Sequence, residues 1–183
     1  MVNIIRMPDN TMNGREIKFF VMDVDGTLTD GKLHITDTGE IYKSFDVKDG
    51  YGIIDILPRY SIIPIIISAR ESEIVNRRCL DLKITELHQG VRQKYEKLVQ
   101  IIDAYSKRDN KDYNLKNVAY IGDDILDVQC MKPIKEAGGM VGCPNDAVNE
   151  VKQIADFVSS KNGGNGAVRE FIVWLLTGEN HII

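Results

Sequence analysis

Residues 62–67 read Ile-Ile-Pro-Ile-Ile-Ile, an almost unbroken β-branched run. A strand with one wet face alternates apolar and polar residues, so a run that is apolar at nearly every position needs cover on both faces. That cover is found in a parallel sheet sandwiched between helices. Pro64 fits poorly inside such a strand and leaves its start open. Shorter runs at 18–22, 84–87, 117–121, 139–142 and 156–158 repeat the signal. Amphipathic stretches at 50–57, 71–82, 93–105, 124–131, 146–153 and 167–176 separate them. Strands alternating with helices predict a Rossmann-like α/β three-layer sandwich with a mainly parallel central sheet. The polar segment 107–114 lacks periodicity and reads as a surface excursion.

One segment breaks the rhythm. Residues 32–35 and 41–46 alternate with period two around Asp37-Thr38-Gly39-Glu40, which predicts a β-hairpin inserted directly after the first strand. Its apolar residues Leu33, Ile35, Ile41 and Phe45 have no evident place in the sandwich. An isolated hairpin is only marginally stable, so this face is expected to pack on another subunit.

With 183 residues, the chain is expected to form one domain over 17–183, preceded by a loose leader over 1–16. A net charge of −4 argues against a nucleic-acid partner. No stretch reaches the ~18 apolar residues of a membrane span, and residues 1–16 lack the apolar core of a secretory signal. Cys79, Cys130 and Cys143 are too scattered for a zinc site and read as reduced core thiols, which points to the cytoplasm.

Chemistry concentrates where strands end. Asp23-Val24-Asp25-Gly26-Thr27 follows the first strand, and Gly122-Asp123-Asp124 with Asp127 follows the strand at 117–121. Open α/β sheets bind ligands beyond the carboxyl ends of their strands, and parallel strands bring both groups to one edge. So many carboxylates repel, and they call either for raised pKa values or for a hard divalent cation; an all-oxygen set suits Mg²⁺. Each cluster alone could be no more than a helix N-cap. Ser68, after the apolar run, offers a hydroxyl and neighbouring amides to an anion at a helix N-terminus. Lys94 offers a cation. Singly they read as an N-cap and a solvated surface charge; together they suit a phosphoryl group held between the acidic clusters.

These four motifs resemble those of the haloacid dehalogenase superfamily of phosphotransferases. The resemblance implies that Asp23 is the nucleophile and Asp25 the general acid and base. Mg²⁺ would be held by Asp23, Asp123 and the backbone carbonyl of Asp25, with Asp124 and Asp127 supporting the metal and Lys94. Ser68 and Lys94 would neutralise the transferred phosphoryl group. An acid needs a proton at neutral pH, which crowding by like charges would supply at Asp25. A response-regulator receiver shares the aspartate, Mg²⁺ and lysine, but carries its acidic pair and phosphoacceptor on different strands.

The chain is most similar to the capless, tetrameric branch of phosphatases acting on 3-deoxy-D-manno-octulosonate 8-phosphate, from residue 17 onward. The hairpin takes the place of a cap domain, and Ser68 and Lys94 stand too close to admit a second cap. Branch-specific stretches are 44–53, 76–79, 88–90 and 163–170. The resemblance implies a homotetramer built on the hairpins and a glycine-rich tail reaching a neighbouring site. It also implies substrate contacts from Lys48, Asp49, Gly50, Arg70 and Arg78. Without it, Asp49 reads as a helix N-cap and Arg78 as an exposed helix charge. Related enzymes act on nine-carbon sialate-type 9-phosphates, where an acidic residue is expected in place of Arg70. Two departures stand out: Ser68-Ala69-Arg70 replaces the usual Thr-Gly-Arg, and Asn165 replaces a frequent Arg. A non-catalytic tetramerisation module for a cytidylyltransferase system, or a phosphatase of loose preference, are the remaining readings.

Overall fold

A computed structural model describes residues 11–12 and 15–178. Strands β1 (Thr11–Met12) and β2 (Arg15–Glu16) form a small antiparallel pair within the expected leader; the rest of that leader lies outside the described residues. β3 (Phe19–Met22) is the first strand of the main sheet. The hairpin follows as β4 (His34–Thr36) and β5 (Gly39–Tyr42), then α1 (Val47–Tyr51), a π-helical turn Gly52–Ile56 and a 3-10 turn Leu57–Tyr60. The remaining elements are β6 (Ile63–Ile67), α2 (Glu73–Asp81), β7 (Glu86–His88), α3 (Lys94–Asp109), a second 3-10 turn Leu115–Asn117, β8 (Val118–Ile121), α4 (Ile125–Glu136), β9 (Met140–Cys143), α5 (Asn149–Ile154), β10 (Phe157–Val158) and α6 (Ala167–Thr177).

The main sheet is wholly parallel in the order β10-β9-β8-β3-β6-β7. Alternation along β3 divides its side chains between two cores. Phe20 and Met22 join Ile66, Val168, Phe171 and Ile172 on the α6 face. Phe19 and Val21 join Ile65, Leu98, Met131 and Val141 on the α3–α4 face. The result is the expected three-layer sandwich. After β3 the chain runs outward through β6 and β7, then returns to β8 on the other side. The switch in strand order therefore falls between the carboxyl ends of β3 and β8, where ligands bind in such sheets.

Pro64 lies inside β6 opposite Phe20, while β7 pairs only from Ile65 onward. The strand has one neighbour at that level, so a residue without an N–H is tolerated. α3 runs past its expected end into the polar segment, because Arg108 stacks on the Tyr105 ring at 4.0 Å; it stops where Asn110 turns left-handed. All three cysteines are buried and unpaired. Among the described residues, no helix is long and apolar enough to cross a membrane.

The hairpin exposes Leu33 (45%), Ile35 (62%) and Ile41 (55%), whereas Phe45 is half-buried against the α6-face core. α1 starts earlier than its periodicity indicated, since Asp46, not Asp49, caps it by accepting from Lys48 N at 2.6 Å. Asp49 is instead buried beneath α6, accepting from Arg169 N at 2.7 Å and Gly166 N at 3.3 Å. Its carboxylate thus satisfies helix-end amides within its own chain.

Burial pushes the Asp49 carboxyl up from 3.8 to about 6, against the two amides that favour its charge. Below 3.8 the folded and unfolded chains both hold this proton; between 3.8 and about 6 only the folded chain does. Its share of stability is therefore lost as pH rises through 6. In urea titrations at about pH 4.5 and about pH 7.5, the wild type should lose about 2 kcal/mol relative to Asp49→Asn on going to the higher pH. An unchanged gap would contradict this placement.

Candidate active site

β3 ends into Asp23, whose N–H donates to the Ile121 carbonyl at 3.1 Å and so ties the first acidic motif to the end of β8. Gly26 then turns with φ +96°, and a side chain there would place a Cβ only 2.0 Å from Asp123 Oδ2. The absence of a Cβ is what lets the two acidic loops touch. Thr27, fully buried, donates its hydroxyl to Asp123 Oδ1 at 2.9 Å. The turn rests on the glycine-rich segment of the same chain: Gly164 N donates to the Thr27 carbonyl at 3.0 Å, and a Cβ on Gly163 would lie 1.8 Å from the Gly26 carbonyl oxygen. Within this chain, that segment supports the chain's own acidic loop.

Lys94, the first residue of α3, is only 2% exposed and donates to Asp23 Oδ1 and Asp127 Oδ1, both at 2.7 Å. It is no solvated surface charge. Asp127, on the first turn of α4, also accepts from Tyr120 Oη at 2.7 Å and from the N–H groups of Asp123 (3.0 Å) and Asp124 (3.2 Å). Four donors occupy its two oxygens, which suits it to hold Lys94 and the β8 loop in place. Asp124 is exposed and caps α4, accepting from Ile125 N at 2.7 Å.

One carboxylate oxygen from each of Asp23, Asp123 and Asp127 lies within 4.8 Å of the others. Burial, then repulsion from Asp127, pushes Asp23 up to about 7 against the pull of Lys94. Burial, then Asp23 and Asp127, pushes Asp123 up to about 8. Burial alone would lower the Lys94 ammonium, but Asp127 and Asp23 outweigh it and hold it above its ordinary range. A buried all-oxygen cluster that resists holding its own negative charge fits a hard divalent cation. Asp127 is already saturated by donors, so Asp23 and Asp123 are the carboxylates with capacity to ligate.

Asp25 sits apart from this crowding. It faces cations: Lys43 Nζ pairs with its Oδ1, and Arg70 Nε lies 3.4 Å from its Oδ2. The carboxylates that cluster are thus Asp23, Asp123 and Asp127, whereas Asp25, where the motif pattern led us to expect crowding, faces Lys43 and Arg70. Ser68 is buried and accepts from Arg70 N at 3.3 Å. It lies before the helix, since α2 starts at Glu73 with Ser72 as its cap, so no helix N-terminus acts at Ser68.

Asp23, Asp25, Ser68, Arg70, Arg92 and Lys94 line one cleft of about 240 Å³ at the strand ends, together with Asp124 and Asp127. Lys48 opens instead on a separate cavity of about 710 Å³ with Tyr51, Asn165 and Arg169. Gly50 packs beneath Arg78, whose guanidinium lies 5.5 Å from the Phe45 ring centre and whose Nε is buried without a hydrogen-bond partner. Of the expected substrate contacts, the structure brings only Arg70 into the cleft. Sequence reasoning missed Lys43 and Arg92. Lys43 was hidden in the period-two hairpin pattern, and its break from the exposed alternation shows only once the hairpin is folded back. Arg92, two residues before Lys94, could have been found from its place at the end of the β7 loop.

No family model matches the chain. Among curated proteins, it is 36% identical over 174 residues to the 3-deoxy-D-manno-octulosonate 8-phosphate phosphatase KdsC of Escherichia coli strain K12, covering 95% of this chain and 87% of that protein. Its fold matches the 3-deoxy-D-manno-octulosonate 8-phosphate phosphatase of Moraxella catarrhalis with a TM-score of 0.75 and 36% identity, over 90% of this chain and 88% of that one. The Moraxella structure holds a magnesium ion, a phosphate ion and a KDO molecule. A haloacid dehalogenase superfamily hydrolase of Legionella pneumophila matches with a TM-score of 0.78 and 33% identity, over 91% and 85% of the two chains.

Proposed function

Because this chain belongs to the family of 3-deoxy-D-manno-octulosonate 8-phosphate phosphatases within the haloacid dehalogenase superfamily, we propose that it hydrolyses that eight-carbon sugar-acid phosphate in a Mg²⁺-dependent reaction. The observation that carries this reading is the buried contact of Asp23 with Lys94 beside Asp123, at the switch point of the sheet. The carboxylate there is fixed, partly charge-compensated and open to a cleft.

Asp23 attacks phosphorus through a carboxylate oxygen, and the phosphorus–oxygen bond to the sugar breaks with its electron pair going to the leaving oxygen. Asp25 passes to that oxygen a proton taken up from the bound phosphate monoester. The aspartyl-phosphate is then hydrolysed by a water whose proton returns to Asp25, which divides one difficult step into two. Lys94 and the Ser68 hydroxyl offset charge on the transferred group. Mg²⁺, held by Asp23, Asp123 and the backbone carbonyl of Asp25, would add a hard positive charge against the same oxygens. Asp127 keeps Lys94 and the Asp123 loop in register, and Asp124 starts the helix that carries Asp127. Arg70 is the substrate contact that the cleft supports best, a cation suited to a sugar carboxylate. Lys48 and Arg78 lie outside this cleft.

The exposed Leu33, Ile35 and Ile41 favour a homotetramer assembled through the hairpins. Three buried, unpaired thiols favour the cytoplasm. The test is phosphate release from the eight-carbon 8-phosphate with Mg²⁺ and with excess EDTA, beside sedimentation of the same sample. Release that needs Mg²⁺, from a tetramer, is expected. Release unaffected by EDTA would overturn the metal assignment, and a stable monomer at micromolar concentration would overturn the role given to the hairpin.

A further inference from the structure

Lys43 has no part in that chemistry, yet the fold buries it. It lies just beyond β5, on a hairpin whose neighbouring residues Ile41, Tyr42 and Ser44 are exposed, but only 2% of its side chain reaches solvent. Its Nζ pairs with Asp25 Oδ1 and lies 2.9 Å from Glu40 Oε1. Glu40 in turn accepts from the Ser72 hydroxyl. Ser72 is clamped by the Gln89 side chain, which accepts from its N–H at 2.9 Å and donates to its carbonyl at 3.2 Å. A continuous polar path thus runs from the loop after β7, through the start of α2 and the hairpin, to one oxygen of Asp25. Burying a lysine is costly unless it is paired, and here one of its two partners, Asp25, lines the cleft.

We propose that Lys43 is a positioning residue for Asp25, and that the hairpin folds back directly after the first acidic motif in order to deliver it there. Left alone, the Asp25 carboxyl would rotate freely about its side-chain torsions. With Lys43 holding Oδ1, and Glu40 holding Lys43, the second oxygen is turned toward Arg70 and the cleft. From that orientation the carboxyl reaches the leaving oxygen, giving it a proton as the phosphorus–oxygen bond breaks, and later takes a proton from water. The inference rests on the reading of Asp25 as general acid and base, and it adds the hairpin to the catalytic apparatus as more than a contact surface.

The test compares kcat/KM for two substrates, because this constant reports steps only through departure of the leaving group. Unprotonated, the sugar acid would depart as an unstabilised alkoxide and so needs the proton, whereas 4-nitrophenolate departs as a stabilised anion and does not. Lys43→Met should lower kcat/KM for the sugar phosphate by about a hundredfold, the scale of general-acid catalysis, and that for 4-nitrophenyl phosphate by less than about threefold. Lys43→Arg should recover much of the loss. Asp25→Asn serves as the benchmark and should show the same split. A split in Asp25→Asn with equal losses on both substrates in Lys43→Met would overturn the proposal, since a merely structural residue harms both alike. No split in Asp25→Asn would instead overturn the acid assignment beneath it. If Lys43→Met does not fold, Glu40→Gln, which loosens the same lysine from its far side, is expected to show the split in smaller measure; equal losses there count against the proposal.

Discussion

Asp23→Asn is expected to reduce phosphate release by at least about a thousand-fold, because an amide cannot form the phosphorylated intermediate and the remaining groups supply only binding and charge. The same variant should melt within a few degrees of the wild type. Lys94 keeps its 2.7 Å contact with Asp127, and the crowding that pushes Asp23 up to about 7 is relieved when position 23 is neutral. Activity lost together with the fold would mean that Asp23 matters chiefly as a partner for Lys94. Phosphate release and a thermal melt on one preparation separate the two.

Lys94→Met carries the largest expected cost in stability. The lysine is 2% exposed and its ammonium touches both Asp23 and Asp127 at 2.7 Å. Removing it leaves two buried carboxylates facing one another with Asp123 close by, and methionine brings no compensating charge. Breaking a buried pair from one side costs about 3–5 kcal/mol, so the urea midpoint should fall accordingly and activity should vanish with it. A loss of unfolding free energy below about 1 kcal/mol would show that the site is far more hydrated than its burial indicates.

Much of this molecule is legible in its sequence where one local signal has one physical solution. The run at 62–67 had to be a doubly covered strand, and it is β6, next to the central β3. The two acidic motifs had to meet once their strands were parallel, and Gly26 against Asp123 shows how closely they do. What was not legible depends on contacts between segments distant in sequence. Asp49 reads as a cap or a substrate ligand until α6 is seen to start above it, more than a hundred residues later. Lys94 could have been a surface charge; nothing local says that Asp23 and Asp127 converge on it. Lys43 was one more position in an alternating hairpin, and only the fold-back onto Asp25 gives it a partner. The like-charge crowding foreseen for Asp25 arises in fact at Asp23 and Asp123. The two aspartates of Asp-x-Asp share an edge but face different neighbours, one the acidic loop after β8 and the other Lys43 and Arg70.

The ratio of kcat/KM, measured with Mg²⁺, for 3-deoxy-D-manno-octulosonate 8-phosphate against a nine-carbon sialate-type 9-phosphate decides which sugar acid this cleft serves. A strong preference for the eight-carbon acid is expected, carried in part by Arg70 at the mouth of the cleft. Preference for the nine-carbon acid, or comparable rates on both, would contradict that expectation.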